Sequence, residues 1–319
     1  MMKQTLVLLL SGGWVLGTYA AELFPQKPVR FIVPFVPGGG TDSFARIVGA
    51  KLSEGWGQQV IVDNRGGAQG NIGTAMAAKA APDGYTIALA FVGTLSINPH
   101  LYRQPGFDAL KDFASISRGS GEPWVITVRL SMPARDIKEL IAIAKKSPGK
   151  LNFASGSSGS QLAGELFKLA AGVDIVHIPY KGTGPATIDL LAGNVDMTLS
   201  IPTSVLAHVN AGRLRALAVT GAARIDAMPD VAHAVESGLP QMNVLSWYGA
   251  VAPAATPVAI LDRLNADFVR ALNSPEVRDR MKSVGQMPSP STREEFRRQM
   301  QADYQIWGKV VKSANLKPE

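Results

Sequence analysis

Apolar residues recur along this chain in short runs that alternate with stretches of helical period. Val29, Phe31, Ile32 and Val33 form a run of the kind shown by a strand buried on both faces. Beyond a glycine turn, Phe44, Ile47, Val48 and Leu52 recur at helical spacing, which predicts a helix from near Ser43 with Thr41 or Asp42 as its N-cap. The unit then repeats, with a strand over residues 60–62, the turn NRGGAQG at 64–70 and a helix from Asn71 through Lys79. The turn Pro82-Asp83-Gly84 leads to another strand at 85–91, closed by Val92-Gly93-Thr94 where a ligand would sit, outside the strand's carboxyl end.

Two later segments have the same character. Residues 151–154 lead into SGSSGS at 155–160 and a helix with Leu162, Leu166 and Leu169 on one face. Residues 173–178 lead into YKGTG at 180–184, with Pro185 placed as a first helical residue. Residues 194–200 alternate, setting Val195, Met197 and Leu199 on one side and Asp196, Thr198 and Ser200 on the other. Residues 216–220 and 247–252 read as strands, and 258–272 and 292–313 as helices, the last with Glu294 and Glu295 in its first turn. Strand–helix alternation predicts an α/β protein with mostly parallel sheets flanked by helices. Four strand–turn–helix junctions, two on each side of the chain's middle, predict two lobes facing each other across a cleft and joined by short crossover strands. The expected division is residues 21–122 with 247–319 for the first lobe and 123–246 for the second.

Residues 1–20 carry Lys3, an apolar run interrupted by Ser11, Gly12 and Gly13, and then Thr18-Tyr19-Ala20. These are the marks of a secretory signal peptide cut after Ala20, on a run shorter than a membrane span. The full chain of 319 residues has the 46% hydrophobic and 18% charged content of an ordinary globular core. There is no cysteine, which excludes a disulfide framework and a lipid-attachment thiol. Net charge falls from +7 to +6 once Lys3 is removed, and the basic residues are spread out without interleaved aromatics. Nucleic-acid binding is therefore not expected, whereas mild basicity suits small acidic ligands.

The chemistry lies in the turns. PGGGTD at 37–42 puts bare backbone N–H groups at a helix start, where no side chain blocks an anion and the peptide dipoles favour it. Gly38, Gly39, Gly40 and Thr41 are therefore candidate ligand contacts, and Asp42 is either a contact or a plain cap. The other junctions add Gln69, Gly70 and Asn71, Thr94, then Ser155, Ser157, Gly159 and Ser160, then Tyr180, Lys181 and Thr183, and finally Ser200. Asp196, on the polar side of a strand heading for the cleft, either pairs with an ammonium group of a ligand or makes a structural hydrogen bond. A P-loop is excluded, since no G-x-x-x-x-G-K-[ST] occurs. A serine hydrolase built on residues 155–160 is the alternative, but GSSGS lacks the G-x-S-x-G spacing, and His100, His177, His208 and His233 have no spaced partners. Metal-ligand spacing such as H-E-x-x-H is absent too, so neither metal nor cofactor is expected.

Ordered motifs running from Phe24 almost to the end resemble the extracytoplasmic solute receptors of the Bug (TctC) family, which serve tripartite tricarboxylate transporters. They are PGGGTD with Ala45-Arg46, NRGGAQGNIG, PDGYT at 82–86, INPHLY at 97–102, FASGSSGS, HIPYKGTGPA at 177–186, DLLAGNVD at 189–196, MPDV and WYG. The resemblance implies a two-lobed periplasmic-binding-protein (Venus-flytrap) fold, a monomer in the periplasm. It implies closure on a small carboxylate, such as a dicarboxylate, amino acid or aromatic acid, held by backbone amides, hydroxyls and water, and delivery to membrane permease subunits. Lys181 is the cationic head expected to reach the cleft. The departure is at NRGGAQG, where the family mostly has proline after the arginine and glycine at the place of Gln69.

Overall fold

The computed structural model describes residues 24–318, so the expected signal peptide and its cleavage after Ala20 lie outside the described residues. In chain order the elements are β1 (Val29–Val33), α1 (Gly40–Trp56), β2 (Val60–Asn64), α2 (Asn71–Ala78), β3 (Thr86–Phe91), α3 (Asn98–Leu101), β4 (Phe113–Glu122) and β5 (Val125–Arg129). There follow α4 (Ile137–Lys146), β6 (Asn152–Ser155), α5 (Ser158–Ala171), β7 (Val176–Pro179), α6 (Thr183–Ala192), β8 (Met197–Ser200), α7 (Pro202–Asn210) and β9 (Leu214–Val219). The last are β10 (Ser246–Pro253), α8 (Val258–Asn273), α9 (Pro275–Ser283) and α10 (Arg293–Ser313).

The strands form two five-stranded sheets, ordered β2-β1-β3-β10-β4 and β7-β6-β8-β5-β9. In the first, β1 pairs parallel with β2 and β3, and β10 runs antiparallel between β3 and β4. In the second, β6 pairs parallel with β7 and β8, and β5 runs antiparallel between β8 and β9. Each sheet is thus mostly parallel, and its one reversed strand is the strand by which the chain arrives from the other lobe. Parallel strands joined by helical crossovers need apolar surface on both faces, which is why β1 and β3 read as continuous apolar runs.

The two crossings differ from the expected pair of short strands. The first is only Pro123 and Trp124, whereas the second is the long irregular stretch 220–245. They lie side by side, since Trp124 N–H donates to the Thr220 hydroxyl and Thr220 N–H donates to the Trp124 carbonyl, both at 2.9 Å. Sequence periodicity also misses β4, whose bulged, Gly/Ser-rich segment has no clean alternation, along with β5, α4, α7 and α9. Helix α1 begins at Gly40 with Gly39 as N-cap, so neither Thr41 nor Asp42 caps it. Helix α6 begins two residues before Pro185, behind Gly182 at φ +118°. Leu169 is exposed, unlike Leu162 and Leu166 on the same helix.

Helix α10 bridges the lobes, packing on β4 and on α5. Its first turn closes a capping box, with Thr292 accepting from Glu295 N–H while the Glu295 carboxylate accepts from Thr292 N–H. Trp307 on this helix is buried edge-on against Trp124 of the short crossing, ring centroids 5.7 Å apart. Trp247 packs against Phe296 in the same way, and its indole N–H donates to Asp303 at 2.7 Å. Trp307→Ala should therefore cost about 3–5 kcal/mol of unfolding free energy by denaturant titration; a loss below about 1 kcal/mol would show that this clamp contributes little.

Candidate functional site

Between the two sheets lies a cavity of about 620 Å³. One wall is the start of α1, where Gly38, Gly39, Gly40, Thr41 and Ser43 face the space. A Cβ added to Gly39 would meet nothing within 4 Å, whereas at Gly40 it would lie 3.0 Å from the Tyr248 hydroxyl. Gly39 thus keeps amides bare toward the cavity, and Gly40 permits close packing on β10. The facing wall comes from three helix starts of the second lobe: Gly156, Ser157 and Ser160 at α5, Gly182, Thr183 and Gly184 at α6, and Ser200, Ile201, Thr203 and Ser204 at α7. Ser157 caps α5 by accepting from Ser160 N–H at 3.2 Å, and the Ser160 hydroxyl accepts from Ser157 N–H at 3.1 Å. The first N–H groups of a helix have no intrahelical acceptor, so four such starts aim unsatisfied donors and positive dipole ends at one space. Among the described residues, none that lines the cavity carries a charged side chain.

Several expected site residues lie elsewhere. Asp42 points away from the cavity: its carboxylate accepts from Gly38 N–H and from Arg46 Nε, both at 3.0 Å. Burial would raise its pKa, but the Arg46 and Gly38 bonds prevail and hold it below the ordinary carboxylate value. The turn 64–70 does not reach the cavity because Phe35 stands between them; a Cβ on Gly70 would lie 3.0 Å from the Phe35 ring and 2.6 Å from Thr94. Asn98 Nδ2 consumes that turn's acceptors, donating to the Gln69 carbonyl and to Asn71 Oδ1. Gln69 itself is exposed at φ +53°, a conformation that favours glycine. Thr94 is fully buried and donates to the Phe91 carbonyl.

Gly159 packs under Trp124 and Phe91 outside the lining. The Tyr180 hydroxyl donates to Asp189 at 2.6 Å, along α6 and away from the space. Lys181 is exposed and does not line the cavity, so the expected cationic contact is missing. Asp196 lies at the amino end of β8, opposite the cavity, which Ser200 at the carboxyl end does line. There its carboxylate accepts from Arg129 Nε and from Asn152 N–H, both at 3.0 Å, so the structural alternative holds. Ser155 and His177 share a 2.7 Å hydrogen bond, a pairing that spacing did not reveal. Burial, with Lys168 second, pushes His177 down to about 4, but Ser155 lies outside the lining and no carboxylate pairs with the ring among the described residues.

Sequence reasoning misses two parts of the site. One is the start of α7, for which Pro202 after Ser200 was the available signal. The other is the floor, made by Ser246 and Tyr248 of β10 and by Gln286, with an apolar rim of Phe35, Phe91 and Trp124. Gln286 Nε2 donates to the Gly40 carbonyl at 2.7 Å. Behind this floor Glu122 is fully buried, and no partner meets hydrogen-bond geometry with either carboxyl oxygen. Burial pushes it up to about 8, and the nearby Ser120 hydroxyl and the Met287 and Glu122 peptide groups offset only part of this. Tyr248 is raised as well, by burial first and then by Glu122.

Residues 44–316 match the family described as tripartite tricarboxylate transporter family receptor (TctC). The chain is 36% identical to Protein BugT of Bordetella pertussis over 301 residues, covering 93% of this chain and 92% of that one. Among solved structures, R. palustris Rpa4515 with adipate superposes with a TM-score of 0.85 at 33% identity, covering 93% of this chain and 100% of that one. MatC (Rpa3494) from Rhodopseudomonas palustris with bound malate gives 0.80 at 30% identity, covering 90% and 100%.

Two outcomes follow from these positions. Asp196→Asn should lower unfolding free energy by about 1–3 kcal/mol through the lost Arg129 pairing while leaving affinity for any cavity ligand unchanged; a selective loss of affinity would return Asp196 to the site. Glu122 has an ordinary value of 4.5 and a folded value of about 8, so between these the unfolded chain releases its proton first. Its contribution to stability is therefore complete below the ordinary value and declines as pH rises toward the folded one. Melting measured across that window should fall more steeply in the native protein than in Glu122→Gln; parallel curves would contradict the buried-acid assignment.

Proposed function

Because this chain belongs to the tripartite tricarboxylate transporter receptor family and is a solute-binding receptor, we propose that it captures a small carboxylate in its interlobe cavity and delivers it to membrane permease subunits. It does so as a monomer in the periplasm, without covalent chemistry. The supporting observation is the uncharged cavity ringed by four helix starts from both lobes. Each charge–dipole contact contributes about 0.3–1 kcal/mol, up to about 2 when partly buried. Several together, with hydrogen bonds, approach the roughly 8 kcal/mol of micromolar binding. The carboxylate sits among the amides of Gly39, Gly40, Thr41, Thr183 and Gly184 and the hydroxyls of Thr41, Ser157, Ser160 and Ser200. Adipate and malate in the two R. palustris structures support a carboxylate of this size.

Binding from both lobes favours the closed arrangement, which is what a permease would read. The Ser155–His177 pair keeps a hydrolase as the competing reading, and one set of assays separates the two. A thermal-shift and calorimetry panel of dicarboxylates, amino acids and aromatic acids should yield a binder that raises the melting temperature. Gly39→Val, whose side chain enters open space, should weaken that binder by about 100-fold or more with little change in melting temperature of the free protein. Ester hydrolysis lost in Ser155→Ala, with no acid bound, would overturn the receptor reading.

A further inference from the structure

Five buried side-chain oxygens without a partner in hydrogen-bond geometry among the described residues gather at and behind the cavity floor: Ser246 Oγ and Gln286 Oε1 on residues that line it, and Ser120 Oγ and both oxygens of Glu122 behind them. Strand register explains the gathering. Glu122 stands opposite Ser246, and Ser120 opposite Tyr248, so all four side chains share one face of the β4–β10 pair. Ser246, Tyr248 and Gln286 line the cavity, each at most 3% exposed, and the Tyr248 hydroxyl makes no hydrogen bond among the described residues. Each buried polar group left unpaired opposes folding. A cluster of them in one place is where a guest's polar group belongs.

The guest's chemistry follows from what the floor offers. Gln286 donates an amide N–H to the Gly40 carbonyl, and its buried Oε1 is left as an acceptor without a partner among the described residues. Ser246 and Tyr248 can each accept, and Glu122 brings two further acceptor oxygens when ionised. Among the described residues packed around Glu122, from β4, β10 and the 284–288 segment, Tyr248 is the one titratable group coupled to it electrostatically, and no basic side chain pairs with it. A cation is the missing partner, and an ammonium group supplies three donors as well.

We propose that this floor is a subsite for an ammonium group, so that the receptor selects carboxylates bearing an amine, of the amino-acid class, over plain acids of the same skeleton. The proposal rests on the reading that the helix starts hold the carboxylate. The ligand then spans the cavity, its carboxylate at the helix starts and its amine on the floor. Binding moves Glu122 from its neutral form to its ionised form beside the cation, and the proton leaves to solvent.

Matched pairs test this on the purified protein: alanine against propionate, glutamate against glutarate, and phenylalanine against 3-phenylpropionate. The amine-bearing member of at least one pair should bind about tenfold tighter or more, the effect of hydrogen bonds to a charged group. Calorimetry near neutral pH in buffers of different ionisation enthalpy should show proton release for that member and none for the plain acid. Glu122→Gln should abolish both preference and release while keeping the plain acid's affinity and the fold, and Ser246→Ala should reduce the preference. Plain acids that bind as tightly as their partners, or a preference that survives Glu122→Gln, would overturn the subsite and leave the carboxylate receptor standing. Binding by none of the six would sink both.

Discussion

A carboxylate entering a cavity with no cationic side chain among the described residues depends on oriented neutral donors, and helix starts supply several peptide N–H groups together. Much of the architecture answers to that requirement. The carboxyl ends of the parallel strands in both sheets feed helix starts toward one space, and the reversed strand in each sheet carries the chain across between lobes. Glycines at Gly39, Gly182 and Gly184 keep side chains from covering the amides. Short hydroxyl side chains at Thr41, Ser157, Ser160, Thr183 and Ser200 extend the donor set without adding charge.

Burying a carboxyl and several hydroxyl and amide oxygens without partners opposes folding, and the same burial raises the Glu122 pKa. The clamp of Trp124 on Trp307, the Trp247–Asp303 bond and the paired crossings at Trp124 and Thr220 lie close by and supply compensating stability.

How far the molecule was legible in its sequence varies by kind of signal. Runs such as residues 29–33 and the helical period of Phe44, Ile47, Val48 and Leu52 are local, and they located β1 and α1 and hence the first wall of the cavity. NRGGAQG looks like a second wall because its glycines resemble PGGGTD, yet Phe35 intervenes, and only the folded packing reveals that. Alternation at 194–200 assigned Asp196 and Ser200 to one side of a strand, but a face is not an end. The register of Phe153 with Met197 places Asp196 far from the space that Ser200 lines. The floor joins Glu122, Ser246, Tyr248 and Gln286 from three separate segments, with β4 bulged besides, and no local pattern connects them. Helix α4 was within reach: Asp136 as cap, with Ile137, Leu140 and Ala144 on one face, carries the ordinary signals.

The most direct measurement of amide-based capture is a ¹H–¹⁵N NMR titration of the protein with the tightest acid of the carboxylate panel. Large proton shifts at saturation are expected for the amides of Gly39, Gly40 and Thr41 in one lobe and of Thr183 and Gly184 in the other, with the Lys181 environment unmoved. Shifts confined to one lobe, or centred on Lys181, would contradict it.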